Sequence, residues 1–153
     1  MKASLANLVA AALFSVALAC PQPSLAEGTS IKVHVTGLNS DKGVMRIALF
    51  NNAAAYTADK GTAEQSFKKA IGDIKNNQCD YVFTDVPNGD YAIKAYHDED
   101  NSGKFYTGMF GIPKVQYGFS NNAKAMFGPP SFAKAQFPVT GKDVAIDMKL
   151  QGG

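Results

Sequence analysis

Between Asp98 and Gly103 the chain reads Asp98-Glu99-Asp100-Asn101-Ser102-Gly103, with oxygen-bearing side chains at alternate positions and a glycine to end the bend. Asp98, Asp100, Ser102 and Gly103 match positions one, three, five and six of a calcium loop, in which alternate side chains turn hard oxygens toward one point. Position twelve, the bidentate Glu of a helix-flanked loop, is Met109, and position seven, Lys104, offers only its carbonyl. Two readings stand. One is a weak calcium site at Asp98, Asp100 and Ser102, completed by oxygens from elsewhere or by water; the other is an acidic β-turn whose side-chain oxygens accept backbone N–H groups.

His97 precedes three carboxylates, Asp98, Glu99 and Asp100, a set that suits a transition-metal site or a general base for hydrolysis. On a strand end, however, His97 and Asp98 point to opposite faces, and a catalytic metal needs a further ligand from a distant segment. His97 shares strand parity with Tyr91, Ile93 and Ala95, so it is expected to turn inward and hydrogen-bond the Ser120-Asn121-Asn122 segment. For a hydrolase reading, Ser120 is the one obvious nucleophile expected near His97.

The third feature is the stretch Gly108 to Phe132. Loops of about this length are uncommon in compact domains unless functional or disordered, and Phe110, Tyr117, Phe119, Phe127 and Phe132, with Phe105 and Tyr106 just before, are a composition for packing. Either the aromatics cap an open end of the scaffold, or exposed rings and amides line a groove for a glycan, a peptide or an envelope protein. The binding face of the second reading comprises His97, Tyr117, Ser120, Asn121, Asn122 and Phe127. Gly-x-Ser-x-Gly, the phosphate-cradling loop, His-Glu-x-x-His and Cys-x-x-Cys are all missing from the sequence.

Strands must hold these segments. Ile31 to Thr36 alternates strictly, with Ile31, Val33 and Val35 inward. After the turn residues 37–43, Val44 to Asn51 returns, and the two read as a hairpin. A short helix is expected near Thr62 to Lys69, capped by Thr62. Cys79 to Asp85 and Tyr91 to Tyr96 read as a second hairpin around Pro87-Asn88-Gly89. Ala135 to Val139 is a short edge strand, and Val144, Ile146, Met148 and Leu150 alternate in a closing strand. The pattern predicts an all-β, antiparallel immunoglobulin-like or prealbumin-like β-sandwich with one short helix in a connection and a long ordered loop; a closed barrel is the alternative.

Phe83-Thr84-Asp85-Val86-Pro87-Asn88-Gly89-Asp90-Tyr91 resembles the hairpin of prealbumin-like, carboxypeptidase-regulatory-type sandwiches, which are generally non-catalytic modules. With Tyr96 to Lys104, Phe110-Gly111-Ile112-Pro113-Lys114, Tyr117 to Ala123 and Phe127-Gly128-Pro129-Pro130-Ser131-Phe132 in order, residues 31–150 resemble the exported bacterial domain-of-unknown-function family 2141. The resemblance implies a prealbumin-like sandwich and a periplasmic or secreted location. It implies no catalytic residues.

Export also reads from the N-terminus. Lys2, an apolar run from Leu5 to Ala19 and Ser24-Leu25-Ala26 form a signal peptide over residues 1–26, leaving a single domain over 27–153. The alternative is a lipoprotein anchored at Cys20. The apolar run is too short to span a bilayer and nothing later in the sequence is apolar enough. Cleavage leaves Cys79 as the one thiol, a small buried hydrophobe by its parity with Tyr81 and Phe83, or else a reactive group. It also leaves 14 basic against 13 acidic residues, with Arg46 the single arginine and no basic cluster, which gives nucleic-acid binding no support. The function read from these residues is a non-catalytic binding or interaction module of the cell envelope, its face rigidified by calcium. A metal-dependent or His97-assisted hydrolase and a purely structural envelope protein are the alternatives.

Overall fold

The computed structural model describes residues 28–153; the signal peptide expected over residues 1–26, with Cys20, lies outside the described residues. In chain order the elements are β1 (Thr29–Thr36), β2 (Val44–Phe50), α1 (Ala53–Ala58), β3 (Lys68–Gly72), β4 (Cys79–Val86) and β5 (Gly89–Asp98). Then follow β6 (Tyr117–Phe119), α2 (Phe132–Ala135), β7 (Phe137–Val139) and β8 (Val144–Lys149). One sheet has the order β4-β1-β8 and the other β3-β2-β5-β6, with β7 paired to the start of β5. The two face each other as a β-sandwich. Every pairing is antiparallel except β1 with β8, which run parallel in register from Ile31 opposite Val144 to Thr36 opposite Lys149.

The core between the sheets is what the alternation of β1 requires: Ile31, Val33 and Val35 meet Met45, Ile47, Leu49, Ile93 and Ala95 across the interior, all buried. Each large side chain so buried contributes about 1.5–3 kcal/mol. Cys79 belongs to this core, and burial, with Asp80 and Asp73 nearby, pushes its thiol up to about 11. A Cβ on Gly72 would stand 2.4 Å from Cys79 Sγ, so the thiol occupies the space a larger residue there would need.

Three expectations are corrected. Neither expected hairpin forms: β1 and β2 lie in different sheets, as do β4 and β5, so residues 37–43 and 87–88 carry the chain across the sandwich. Alternation tells which face of a strand points inward, but both sheets point inward at one core, and the pattern is therefore blind to which sheet a strand joins. Tyr91 pins the second crossing by donating its hydroxyl to the Pro87 carbonyl at 2.9 Å. The helix expected at Thr62 to Lys69 is also absent. The helix is α1, with Asn52 Oδ1 accepting the Ala55 N–H at 2.8 Å, while Lys68–Gly72 pairs with the free edge of β2. Gly61 and Ala63, at φ of 93° and 57°, break any helical path through that segment.

A second apolar layer covers the outer face of the β2-β5 sheet. Ala48, Phe50, Ala92 and Phe119 are roofed by Tyr56 of α1 and by Phe132 and Ala135 of α2. Phe105 continues the layer edge-on to Tyr96 and Tyr117, with ring centroids 5.3 and 6.3 Å apart. Lys94 is built into it: Nζ sits 4.4 Å from the Tyr56 ring centroid and donates to the Tyr56 carbonyl at 2.6 Å, with the buried Asp59 carboxylate at 3.4 Å. Burial draws the Lys94 pKa down, and Asp59 opposes that pull.

Candidate functional site

The acidic turn closes β5, whose last residue, Asp98, is 1% exposed. Its Oδ1 accepts from Ser102 N at 3.1 Å and Ser102 Oγ at 3.3 Å, and its Oδ2 accepts from Gly103 N at 2.8 Å and from Arg46 Nε on the neighbouring strand. Burial pushes this carboxyl up, but Arg46 and the Gly103 N–H, helped by Asp100 and Ser102, outweigh it and hold the pKa below the ordinary value. Asp100 accepts from Ser102 N at 3.3 Å and from the Tyr106 hydroxyl at 3.1 Å, while Asn101 Oδ1 accepts from Arg46 Nη2 at 3.0 Å. Asp98, Asp100 and Ser102 are thus brought together, with a guanidinium and N–H groups directed at the oxygens. Among the described residues no group of three or more His, Cys, Asp or Glu is placed to hold a metal ion.

His97 points inward, 1% exposed, but its partners are not Ser120, Asn121 or Asn122. Nε2 lies 2.7 Å from the Lys42 carbonyl, which assigns the ring hydrogen to Nε2, and Nδ1 lies 3.5 Å from Gln116 Oε1. Gln116 in turn accepts from Asn39 N at 2.8 Å and donates to the Gly37 carbonyl at 2.8 Å. The pair therefore ties the long loop to the crossover between β1 and β2.

Ser120 is far from this point. It sits beyond the β6 residue Phe119, which pairs with Lys94, and its hydroxyl accepts the Ile93 N–H at 2.8 Å. Four strand residues, about 13 Å, separate Ile93 from His97. The same hydroxyl donates to the Ala135 carbonyl at 2.5 Å. Asn121 Nδ2 donates to the Gln136 carbonyl at 2.8 Å and Asn122 Oδ1 accepts Lys149 N at 2.7 Å, so the three residues knot β5, the end of α2 and β8 together. Tyr117 is half-buried against Phe105 and Phe119. Phe127 stands 89% exposed at a loop tip.

A cleft of about 450 Å³ opens where the acidic turn meets the first part of the long loop. Asn39, His97, Glu99, Asp100, Tyr106, Lys114 and Gln116 line it. His97, the acidic turn and Tyr106, as one of the aromatics weighed for packing or a groove, were legible; Asn39 and Gln116 were not, because nothing local marks a residue that a distant crossover completes. Arg46 had one signal, a lone arginine inside an otherwise apolar strand.

Two facing sheets, a crossover pinned by a buried tyrosine and a polar cleft at one rim define a β-sandwich module. The chain belongs to the bacterial family described as "Uncharacterized protein conserved in bacteria (DUF2141)", whose model matches residues 33–147. Among solved structures it is similar to the pilus-presented adhesin Spy0125 (Cpa) in two forms. A cysteine-to-alanine mutant of it is 14% identical, with TM-score 0.26 over 80% of this chain and 27% of that one. One crystal form of it is 14% identical, with TM-score 0.27 over 83% and 27%. This chain therefore spans about a quarter of the length of those it matches. No curated protein matches it.

Proposed function

We propose that this chain is a non-catalytic binding module of the bacterial cell exterior, periplasmic or surface-exposed, and that its ligand is a glycan held in the rim cleft. The observation that carries the reading is the composition of that cleft: the partly exposed Tyr106 ring beside the carboxylates of Glu99 and Asp100 and the exposed amide of Asn39. An aromatic face takes the C–H side of a sugar ring, while fixed carboxylates and amides take its hydroxyls. The exported location rests on the N-terminal sequence pattern and the family resemblance. Among the described residues no helix is long and apolar enough to cross a membrane.

A hydrolase draws no comparable support, because the Ser120 hydroxyl is spent on Ile93 and Ala135, the His97 Nε2–H is spent on the Lys42 carbonyl, and the two side chains lie about 13 Å apart along the strand. The test is nuclear magnetic resonance titration with a panel of neutral and amino-sugar oligosaccharides. Shifts gathered at Asn39, Glu99, Tyr106 and Gln116, abolished in Tyr106→Ala, are expected. An absence of shifts with every sugar at millimolar concentration would leave the purely structural role standing instead.

A further inference from the structure

From Lys104 to Lys142 the chain carries five lysines, Lys104, Lys114, Lys124, Lys134 and Lys142, and no aspartate or glutamate. Among the described residues none of the five makes an ion pair. The same segment holds the five most exposed large apolar side chains of the described molecule: Met109 at 79%, Phe110 at 93%, Ile112 at 63%, Met126 at 90% and Phe127 at 89%. They stand on two tips. The first is a tight hairpin, with Lys114 N bonded to the Tyr106 carbonyl at 2.9 Å, Gly108 N to the Ile112 carbonyl at 2.7 Å, and Phe110 at the apex with φ of 59°. The second turns at Gly128, φ 68°, and runs into Pro129 and Pro130. The tips leave the sheet before and after the same edge strand, β6.

We infer that these two tips dock the protein on an anionic lipid bilayer surface, with Met109, Phe110, Met126 and Phe127 entering the interface and the flanking lysines meeting the headgroups. Exposed apolar side chains with lysines of a single sign around them are the composition of interfacial binding, in which apolar burial and attraction to anionic lipid add. The segment's own charge is positive throughout and asks for a negative partner, with the carboxylates of Glu99 and Asp100 sharing only the rim cleft beside Lys114. A bilayer accepts two separate convex projections without a matching pocket for each, which a folded protein partner would have to supply.

The test is flotation of the purified protein with vesicles of phosphatidylcholine alone and of phosphatidylcholine with an equal part of phosphatidylglycerol, every variant carrying the same N-terminus. The wild type is expected to float with the anionic vesicles and to be released by high salt. The surface variants Phe110→Ser and Phe127→Ser, with melting curves unchanged, are each expected to weaken partitioning several-fold, and together by about tenfold or more. Lys104→Gln with Lys124→Gln, both outside the rim cleft, is expected to remove the preference for anionic lipid. Flotation indifferent to the tip variants, or no flotation with either vesicle, overturns the proposal. So does a dimer in sedimentation velocity that Phe110→Ser dissociates, which would assign the tips to a second copy. Phe110, Phe127, Lys104 and Lys124 lie outside the rim cleft, so these results are independent of glycan binding.

Discussion

Arg46 and Asp98 meet on the outer face of neighbouring strands, Nε of the guanidinium donating into a carboxylate that is itself 1% exposed. The register places Arg46 opposite Tyr96, two residues from Asp98, which makes the pair a diagonal cross-strand contact. Because Asp98 also accepts the N–H groups of Ser102 and Gly103, one charge pair holds both a strand end and the turn that follows it.

Removing the cation leaves that carboxylate buried and uncompensated. Arg46→Met is expected to lower unfolding free energy by about 3 kcal/mol, the cost typical of breaking a buried pair from one side. Urea denaturation measures it. A loss within a few tenths of the wild type would mean that the turn's own N–H groups suffice.

The same contact predicts a response to acid. Since the folded pKa of Asp98 is held below its ordinary value, the stabilisation is fully present above the unfolded carboxyl's pKa, about 4, and is lost as pH falls through the folded value. Melting temperature followed from about pH 6 to about pH 2 should fall in the wild type mainly below about pH 4. In Arg46→Met the fall should begin at higher pH. Parallel curves would place the acid response elsewhere.

Calcium gives a third measurement. With Arg46 and five further donor contacts from Ser102, Gly103 and Tyr106 directed at Asp98 and Asp100, the turn is expected to be complete without a metal ion. Millimolar calcium should leave the melting temperature unchanged, whereas an ion bound only by the native state must raise it. A rise that Asp98→Asn abolishes would restore the calcium reading.

Lys94 and Asp59 form the other interior charge pair, their side chains 14% and 3% exposed. Lys94→Met should cost about 2–4 kcal/mol by stranding Asp59 under the aromatic layer. Adding Asp59→Asn should recover part of that loss, since the uncompensated charge is then gone. Additive losses in the two single variants would show that the pair is not coupled.

How much of this was legible can be judged from particular strands. β1 and β8 were readable because one of their faces is buried and the other solvated, which writes a period of two into the chain. β2, reading Val44-Met45-Arg46-Ile47-Ala48-Leu49-Phe50, and β5 are buried on both faces over most of their length. Their near-continuous apolar character was the available sign of an added outer layer. The Thr62 to Lys69 helix failed because an unpaired edge of β2 outweighed a modest local preference, and propensity is a weak prior against strand pairing.

By itself, then, the order of residues determined that the described chain is a sandwich of short strands, that Cys79 is buried and that His97, the acidic turn and the aromatic stretch lie next to one another along the chain. Those properties are written in local periodicity, composition and spacing. Only the tertiary structure decided which sheet each strand joins, that Arg46 closes on Asp98, that Gln116 and Asn39 complete the cleft with His97, and that some aromatics roof a sheet while Phe110 and Phe127 stand free. Each of these depends on contacts between residues well separated along the chain, and such contacts leave no mark in the spacing of neighbours.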